Sequence, residues 1–246
     1  MDMDQDSKFA IHEAARNGQS MNLTALVESL LNKAKANTRL ASRRDDDDRL
    51  PLHWAVSYNR LSIVELLVQQ KNFDPDEQDA SGWTPLMMAS SLKDGEALVA
   101  LLLSKGADVN MKNNNGQTAL HFTASKNNLE VARTLIQHSA TTRVKDKRGQ
   151  LPLHRAAAIG SVPMVKLMLD NKSPLNATDA DGSTALHHAI AEGHGDTALE
   201  LLKAGAGSDK EDSSGHLAID LAPDTKVRSF VLKNAELEGI DIKTNA

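Results

Sequence analysis

Thr184-Ala185-Leu186-His187-His188-Ala189 is one of a set of related segments spread along the chain. LPLHWA at 50–55, TPLMMA at 84–89, TALHFT at 118–123 and LPLHRA at 151–156 are close copies; FAIHEA at 9–14 and LAIDLA at 217–222 are weaker ones. Their first residues stand at 9, 50, 84, 118, 151, 184 and 217, so the successive intervals are 41, 34, 34, 33, 33 and 33. Each copy follows a turn segment, such as Asp79-Ala80-Ser81-Gly82 or Asp181-Gly182. A second apolar stretch with helical spacing comes after it, such as Val131-Ala132-Arg133-Thr134-Leu135-Ile136.

A period of 33 residues carrying a T-P-L-H-x-A element is the signature of ankyrin repeats. The resemblance implies an all-α ankyrin-repeat solenoid of seven helix-turn-helix repeats, with β-turn or hairpin loops forming a concave groove. The residue types agree with that architecture. Thr caps free backbone N–H groups at a helix start, and Pro at the next position already has a suitable φ. Ala lets paired helices approach, and Leu fills the layer between repeats. Asn59 and Asn127 stand where Gly is usual, and Asn tolerates the left-handed conformation.

The expected organisation is a single ankyrin-repeat domain over residues 1–246, with repeats starting near 5, 45, 79, 113, 146, 179 and 212. The first interval is too long, with the extra chain around residues 33–48, and the seventh copy breaks down after Ala222-Pro223. Both ends therefore read as caps. The polar tail from about Gly239 is expected to fray.

Composition removes several function classes. A net charge of −5 argues against nucleic-acid binding, which calls for a basic face. The absence of cysteine removes disulfides, thiolate chemistry and Cys-ligated zinc. No apolar run reaches the ~20 residues of a membrane span, and Met1-Asp2-Met3-Asp4-Gln5-Asp6 is not a signal peptide. These features predict a soluble intracellular protein with no membrane or nucleic-acid partner, monomeric when free.

Enzyme chemistry has little support. His12, His53, His121, His154 and His187 share one repeat position, where the imidazole is expected to hydrogen-bond between turns. His187 and His188 are adjacent and so point to different sides of a helix, which argues against a metal site with His194. No phosphate-binding loop or nucleophile elbow is present. The expectation is a protein with no catalytic residues, no metal and no cofactor.

Ankyrin proteins bind partners through turn tips and the exposed face of each first helix. Applied position by position, that geometry selects Asp46, Asp47, Arg49 and Tyr58 in repeat two and Trp83 and Leu92 in repeat three. It selects Lys126 in repeat four, Lys147, Arg148 and Ile159 in repeat five, and Asp181 and Glu192 in repeat six. The charges alternate acidic, basic, acidic, an arrangement that fixes register more than affinity. Trp83 reads either as a partner anchor or as packing onto a neighbouring turn. Trp54 reads as helix packing, and the aspartates at 45–48 as a solvated patch or a contact for a basic partner.

Longer strings narrow the resemblance. Arg49-Leu50-Pro51-Leu52-His53-Trp54-Ala55, Ser81-Gly82-Trp83-Thr84-Pro85-Leu86, His121-Phe122-Thr123-Ala124-Ser125-Lys126-Asn127 and His154-Arg155-Ala156-Ala157-Ala158 resemble the gankyrin family. The resemblance implies an assembly chaperone, cytoplasmic and nuclear, that holds the C-terminal domain of a 19S proteasomal ATPase subunit in its groove. It thereby delays docking on the 20S core particle. It also implies that Arg49 and Lys126 pair with acidic residues of that ATPase. Animal gankyrin carries a Leu-x-Cys-x-Glu type string in repeat six; here His188-Ala189-Ile190-Ala191-Glu192 has no cysteine, so a retinoblastoma-type partner is not implied. The rival readings are an ankyrin adaptor for a kinase or transcription-related protein and, from another class, a histidine-based hydrolase or metalloenzyme.

Overall fold

The computed structural model describes His12, Arg16, residues 42–70 and residues 73–244. The first motif copy (apart from His12) and most of the extra chain around residues 33–48 lie outside the described residues. The fold is all-α: the described residues hold eleven α-helices and no strand, with one isolated bridge between Glu211 and Leu217. The chain forms two compact units, Met1–Asn114 and Asn115–Ala246, each described by itself.

In the first unit, α1 (Pro51–Ser57) and α2 (Leu61–Leu67) form one helix pair, and α3 (Pro85–Ser91) and α4 (Glu96–Ser104) form the next. Helix α1 packs on α3 and α2 on α4. The second unit continues the scheme with α5 (Ala119–Lys126), α6 (Leu129–Gln137), α7 (Pro152–Ala158), α8 (Val162–Asp170), α9 (Ala185–Ala191) and α10 (Gly195–Lys203). First helices α5, α7 and α9 pack in a row, and second helices α6, α8 and α10 in another. The core between the rows is aliphatic: Ala55, Ile63, Val64, Leu86 and Leu98 in one unit, Leu120, Leu135, Leu153, Met164 and Leu201 in the other, all buried. Helices of seven to nine residues are too short to persist alone, so this burial is what holds them.

The helix starts depart from the simple Thr cap. Among the threonines of the motif, only Thr84 accepts through its hydroxyl from the amide three residues on, Met87, at 3.3 Å. In α5 and α9 the Thr118 and Thr184 hydroxyls pair with the histidine Nδ1 of the same motif, at 3.0 and 2.8 Å. The imidazole itself closes the start: Nδ1 accepts the backbone N–H of Leu50, Thr118, Leu151 or Thr184 at 3.0–3.2 Å. A ring that accepts at Nδ1 carries its proton on Nε2. That nitrogen donates across to a carbonyl further along: Glu77 from His53, Gln150 from His121, Ala177 from His154 and His216 from His187. His12 does the same to Arg49 at 3.1 Å. The shared histidine position is therefore structural, as its repetition predicts.

The last repeat differs from expectation. Its first helix shrinks to the 3-10 turn Ala218–Leu221, but its second survives as α11 (Thr225–Leu237), the longest helix described. The tail is tied down instead of frayed over the residues described. Ile240 donates to the Ala235 carbonyl, and Ser208 Oγ donates to the Asp241 carbonyl and accepts from the Lys243 amide. The short side chain of Ser208 offers both a donor and an acceptor to the passing backbone.

Candidate partner-binding face

The residues selected from the sequence lie either at the ends of first helices or on turns, and most of those turns share one construction. Each begins with a carboxylate: Asp45, Asp79, Asp146, Asp179 and Asp212. Oδ1 accepts two amides, from the second and fourth residues on, at 2.8–3.0 Å. The aspartate's own N–H donates to the carbonyl of that fourth residue, which closes the loop. Successive turns are laddered by one backbone bond each: Ala80 N–H to the Asp47 carbonyl, Lys147 to Asn115, Ala180 to Arg148 and Ser213 to Asp181. The residue three on from the aspartate needs positive φ. Gly149 supplies it at 73°, and a Cβ there would stand 2.9 Å from the Ala180 amide nitrogen. Asp48 holds the same position at 59°.

The second carboxylate oxygen reaches toward the first helix. Asp45 Oδ2 accepts from Trp54 Nε1 at 2.6 Å, Asp146 Oδ2 from Arg155 at 2.7 Å and Asp179 Oδ2 from His188 Nε2 at 2.8 Å. All three donors stand nine residues after their aspartate. In repeat three that position is the apolar Met88, and Asp79 Oδ2 takes Arg49 Nε from the preceding turn instead, at 3.2 Å. Gln150, at the equivalent place before Asp179, does likewise at 3.4 Å.

Burial raises the Asp45, Asp146 and Asp179 carboxyls, but hydrogen bonds from side chains and turn amides outweigh it and hold all three below the usual carboxylate range. Asp212, near the surface, is lowered mainly by the His216 amide. These aspartates are ionised at neutral pH and act as fixed acceptors.

Around this frame the selected residues take their places. In the first unit Asp46 and Asp47 are exposed at the turn tip, and Tyr58 is 44% exposed at the end of α1. The Tyr58 ring stacks on Trp54 with centroids 6.0 Å apart, and the Arg49 guanidinium lies 5.3 Å from the Trp54 centroid. The run at 45–48 is thus divided. Asp45 builds the turn, while Asp46, Asp47 and Asp48 meet solvent. Trp83 is half-buried: its amide and carbonyl both bind Asp79, so its backbone belongs to the turn. Leu92 ends α3 and is half-buried.

In the second unit Lys126 is exposed at the last position of α5, immediately before left-handed Asn127. Lys147 and Arg148 are exposed at one turn tip and Asp181 at the next. Ile159 and Glu192 are exposed just past the ends of α7 and α9. Trp54, Arg155 and His188 meet the turn carboxylates; from the sequence, Trp54 reads as helix packing and His188 only as a rejected metal ligand, and Arg155 is not singled out as a site residue. A nine-residue step from Asp45, Asp146 and Asp179 to a polar donor is the signal that the three share.

Among the described residues no group of three His, Asp or Glu side chains is placed to hold a metal ion, and no helix is long and apolar enough to cross a membrane.

Comparison with known proteins accords with this geometry. The family model for ankyrin repeats matches three times, over residues 1–79, 71–146 and 139–213. The chain is 37% identical over 233 residues to the probable 26S proteasome regulatory subunit p28 of Saccharomyces cerevisiae, covering 93% of this chain and 99% of that protein. It is 38% identical over 201 residues to an ankyrin repeat-containing protein of Schizosaccharomyces pombe, covering 80% and 86% respectively. Among solved structures, the ankyrin repeat domain of Bcl-3, a member of the IkappaB family, superimposes with a TM-score of 0.74 at 27% identity. That match covers 94% of this chain and 99% of the Bcl-3 chain.

Proposed function

This chain belongs to the ankyrin-repeat family and, within it, to the gankyrin family, and from that premise we propose that it is an assembly chaperone of the proteasome regulatory particle. It binds the C-terminal domain of one 19S ATPase subunit through the turns and first helices of its repeats. The bound subunit is kept from docking on the core particle until assembly is ready. The mechanism is steric and uses no catalysis, metal or cofactor, and the place of action is the cytoplasm and nucleus. Ankyrin repeats are a protein-interaction architecture, and such arrays use extended surfaces for binding.

The observation that carries the reading is the state of Arg49. Its Nε is held by Asp79, while among the described residues its two terminal nitrogens have no partner. That leaves a fixed planar fork suited to a carboxylate. Lys126, exposed and without an ion pair among the described residues, adds a second basic contact. Acidic residues on the ATPase domain are the expected complement to both.

Calorimetric titration of the full chain with the isolated C-terminal domain of each proteasomal ATPase tests the proposal. Saturable 1:1 binding to one domain, lost on Arg49→Glu plus Lys126→Glu with helicity unchanged, is the expected result. Failure of every domain to bind would reduce the function to that of an ankyrin adaptor with another partner.

A further inference from the structure

The turn aspartates do more than shape turns: the geometry points to Asp79 and Asp45 as positioning residues that hold Arg49 and Trp54 in the orientation a partner meets. This inference rests on the binding face proposed above. It assigns to it two residues that themselves contact no partner.

The division of labour between the two carboxylate oxygens carries the argument. For Asp79, Oδ1 is occupied by the Ser81 and Trp83 amides at 2.9 Å, so turn construction is complete without Oδ2. Oδ2 takes the Arg49 Nε at 3.2 Å, and the carboxylate is nearly inaccessible to water, with 2% of the side chain exposed against 31% for Arg49. A buried carboxylate that binds only Nε fixes the plane of the guanidinium and leaves the Nη edge outward. On the other side the same guanidinium lies against Trp54, whose indole N–H is held by Asp45 Oδ2. Trp54 in turn stacks on Tyr58. Two turns thus hold one layer, Arg49 on Trp54 on Tyr58: Asp79 fixes Arg49 at one end and Asp45 fixes Trp54 in the middle.

Long side chains lose rotamer freedom on binding, and prior immobilisation removes that cost. Repeat four shows that the turn does not itself require the carboxylate, because the equivalent residue there is the buried Asn113. Asp79→Asn is therefore a substitution the turn accommodates. It keeps one carbonyl oxygen for the two amides and replaces the charged acceptor that faces Arg49.

The test has two arms. In the free full-length protein, the Arg49 Nε–Hε signal, identified by its disappearance in Arg49→Lys, is followed by NMR. Asp79→Asn should move it toward the free-arginine position and speed its exchange with water, while the same change at Asp212 should leave it in place. In the second arm, affinity for the ATPase domain that binds is measured in a double-mutant cycle. Asp79→Asn should weaken binding about tenfold when Arg49 is present and less than about twofold in an Arg49→Gln background, the non-additivity expected of coupled residues. Equal losses in both backgrounds would mean that Asp79 acts on the fold at large and would overturn the proposal. So would an unmoved Arg49 signal in Asp79→Asn, a result independent of any partner. Absence of binding by the unsubstituted protein would instead break the functional reading, with the NMR arm still deciding whether Asp79 holds Arg49.

Discussion

Repeat five, residues 146–173, and the last repeat, residues 212–244, start from the same aspartate turn and then diverge. In repeat five the helices α7 and α8 are only seven and nine residues long. Leu153, Ala156, Met164, Val165 and Met168 have no exposed surface, because packed helices lie on both sides. In the last repeat the first helix is a four-residue 3-10 turn, the second runs to thirteen residues, and only Val231 and Ala235 of the latter are buried. Phe230 and Leu237 of the same helix are exposed.

The difference teaches what holds a repeat. Inside an array, burial by neighbours substitutes for helix length. At the end, one face is wet, and stability has to come from the helix itself and from polar ties. Asp224 caps α11 by accepting from the Val227 amide at 2.8 Å. Arg228 binds the Ile219 carbonyl and Asp220, and Lys203 pairs with Glu238.

The largest expected effect falls on the interior. Leu153→Ala should destabilise the second unit by about 3 kcal/mol in chemical denaturation, with Val231→Ala, which removes a smaller side chain from an equally buried site, costing about 1. Comparable losses at the two sites would mean that the terminal repeat is as tightly packed as the interior one.

Acid should separate the same two regions. Burial pushes His121 and His154 down to about 4, and it lowers His53 and His187 as well. A histidine with a folded pKa below its unfolded value of 6.5 stabilises the fold above pH 6.5. It loses that contribution as pH falls from 6.5 toward 4, because the unfolded chain binds the proton. His121 and His154 should each cost about 1.4 kcal/mol per pH unit within that window. The last repeat has Asp220 at the histidine position, accepting from the Leu217 amide at 3.3 Å. Amide protection, taken relative to the intrinsic exchange rate at each pH, should therefore fall between pH 7 and 5 in α5, α7 and α9 more than in α11. A uniform response would break the distinction.

Removing the end cap is a smaller perturbation. Asp224→Ala should cost about 1 kcal/mol and fray the start of α11, read as faster exchange at Val227. The smallest effect is expected at Leu237, which is 75% exposed. Leu237→Ser should change stability by less than about 0.5 kcal/mol. A larger loss would show that the outer face of α11 is covered in solution.

Much of this was legible from residue order. The 33-residue period, the turn sites, the structural role of the recurring histidine and the left-handed Asn59 and Asn127 all follow from local rules and appear as expected. The candidates at turn tips and helix ends do stand there. Less legible was the split within the acidic run, where the Asp45 carboxylate is used by the turn while the side chains of residues 46–48 are exposed. The tail also departed from expectation, because Ser208, which ties it down, lies 35 residues before Lys243. The use of Trp54, Arg155 and His188 by turn carboxylates was not legible either: Trp54 reads as helix packing and His188 only as a rejected metal ligand, since periodicity alone does not say which donor a carboxylate will take.

By itself, then, the sequence determined the repeat, its phase and the residues that make each turn and helix start. Those depend on φ preferences, caps and periodic burial within a few residues. Only the tertiary structure decided that Asp79 takes its donor from the preceding turn while Asp146 takes it from its own helix. That choice depends on which polar side chain comes within about 3 Å of a second carboxylate oxygen, and packing between repeats sets that distance.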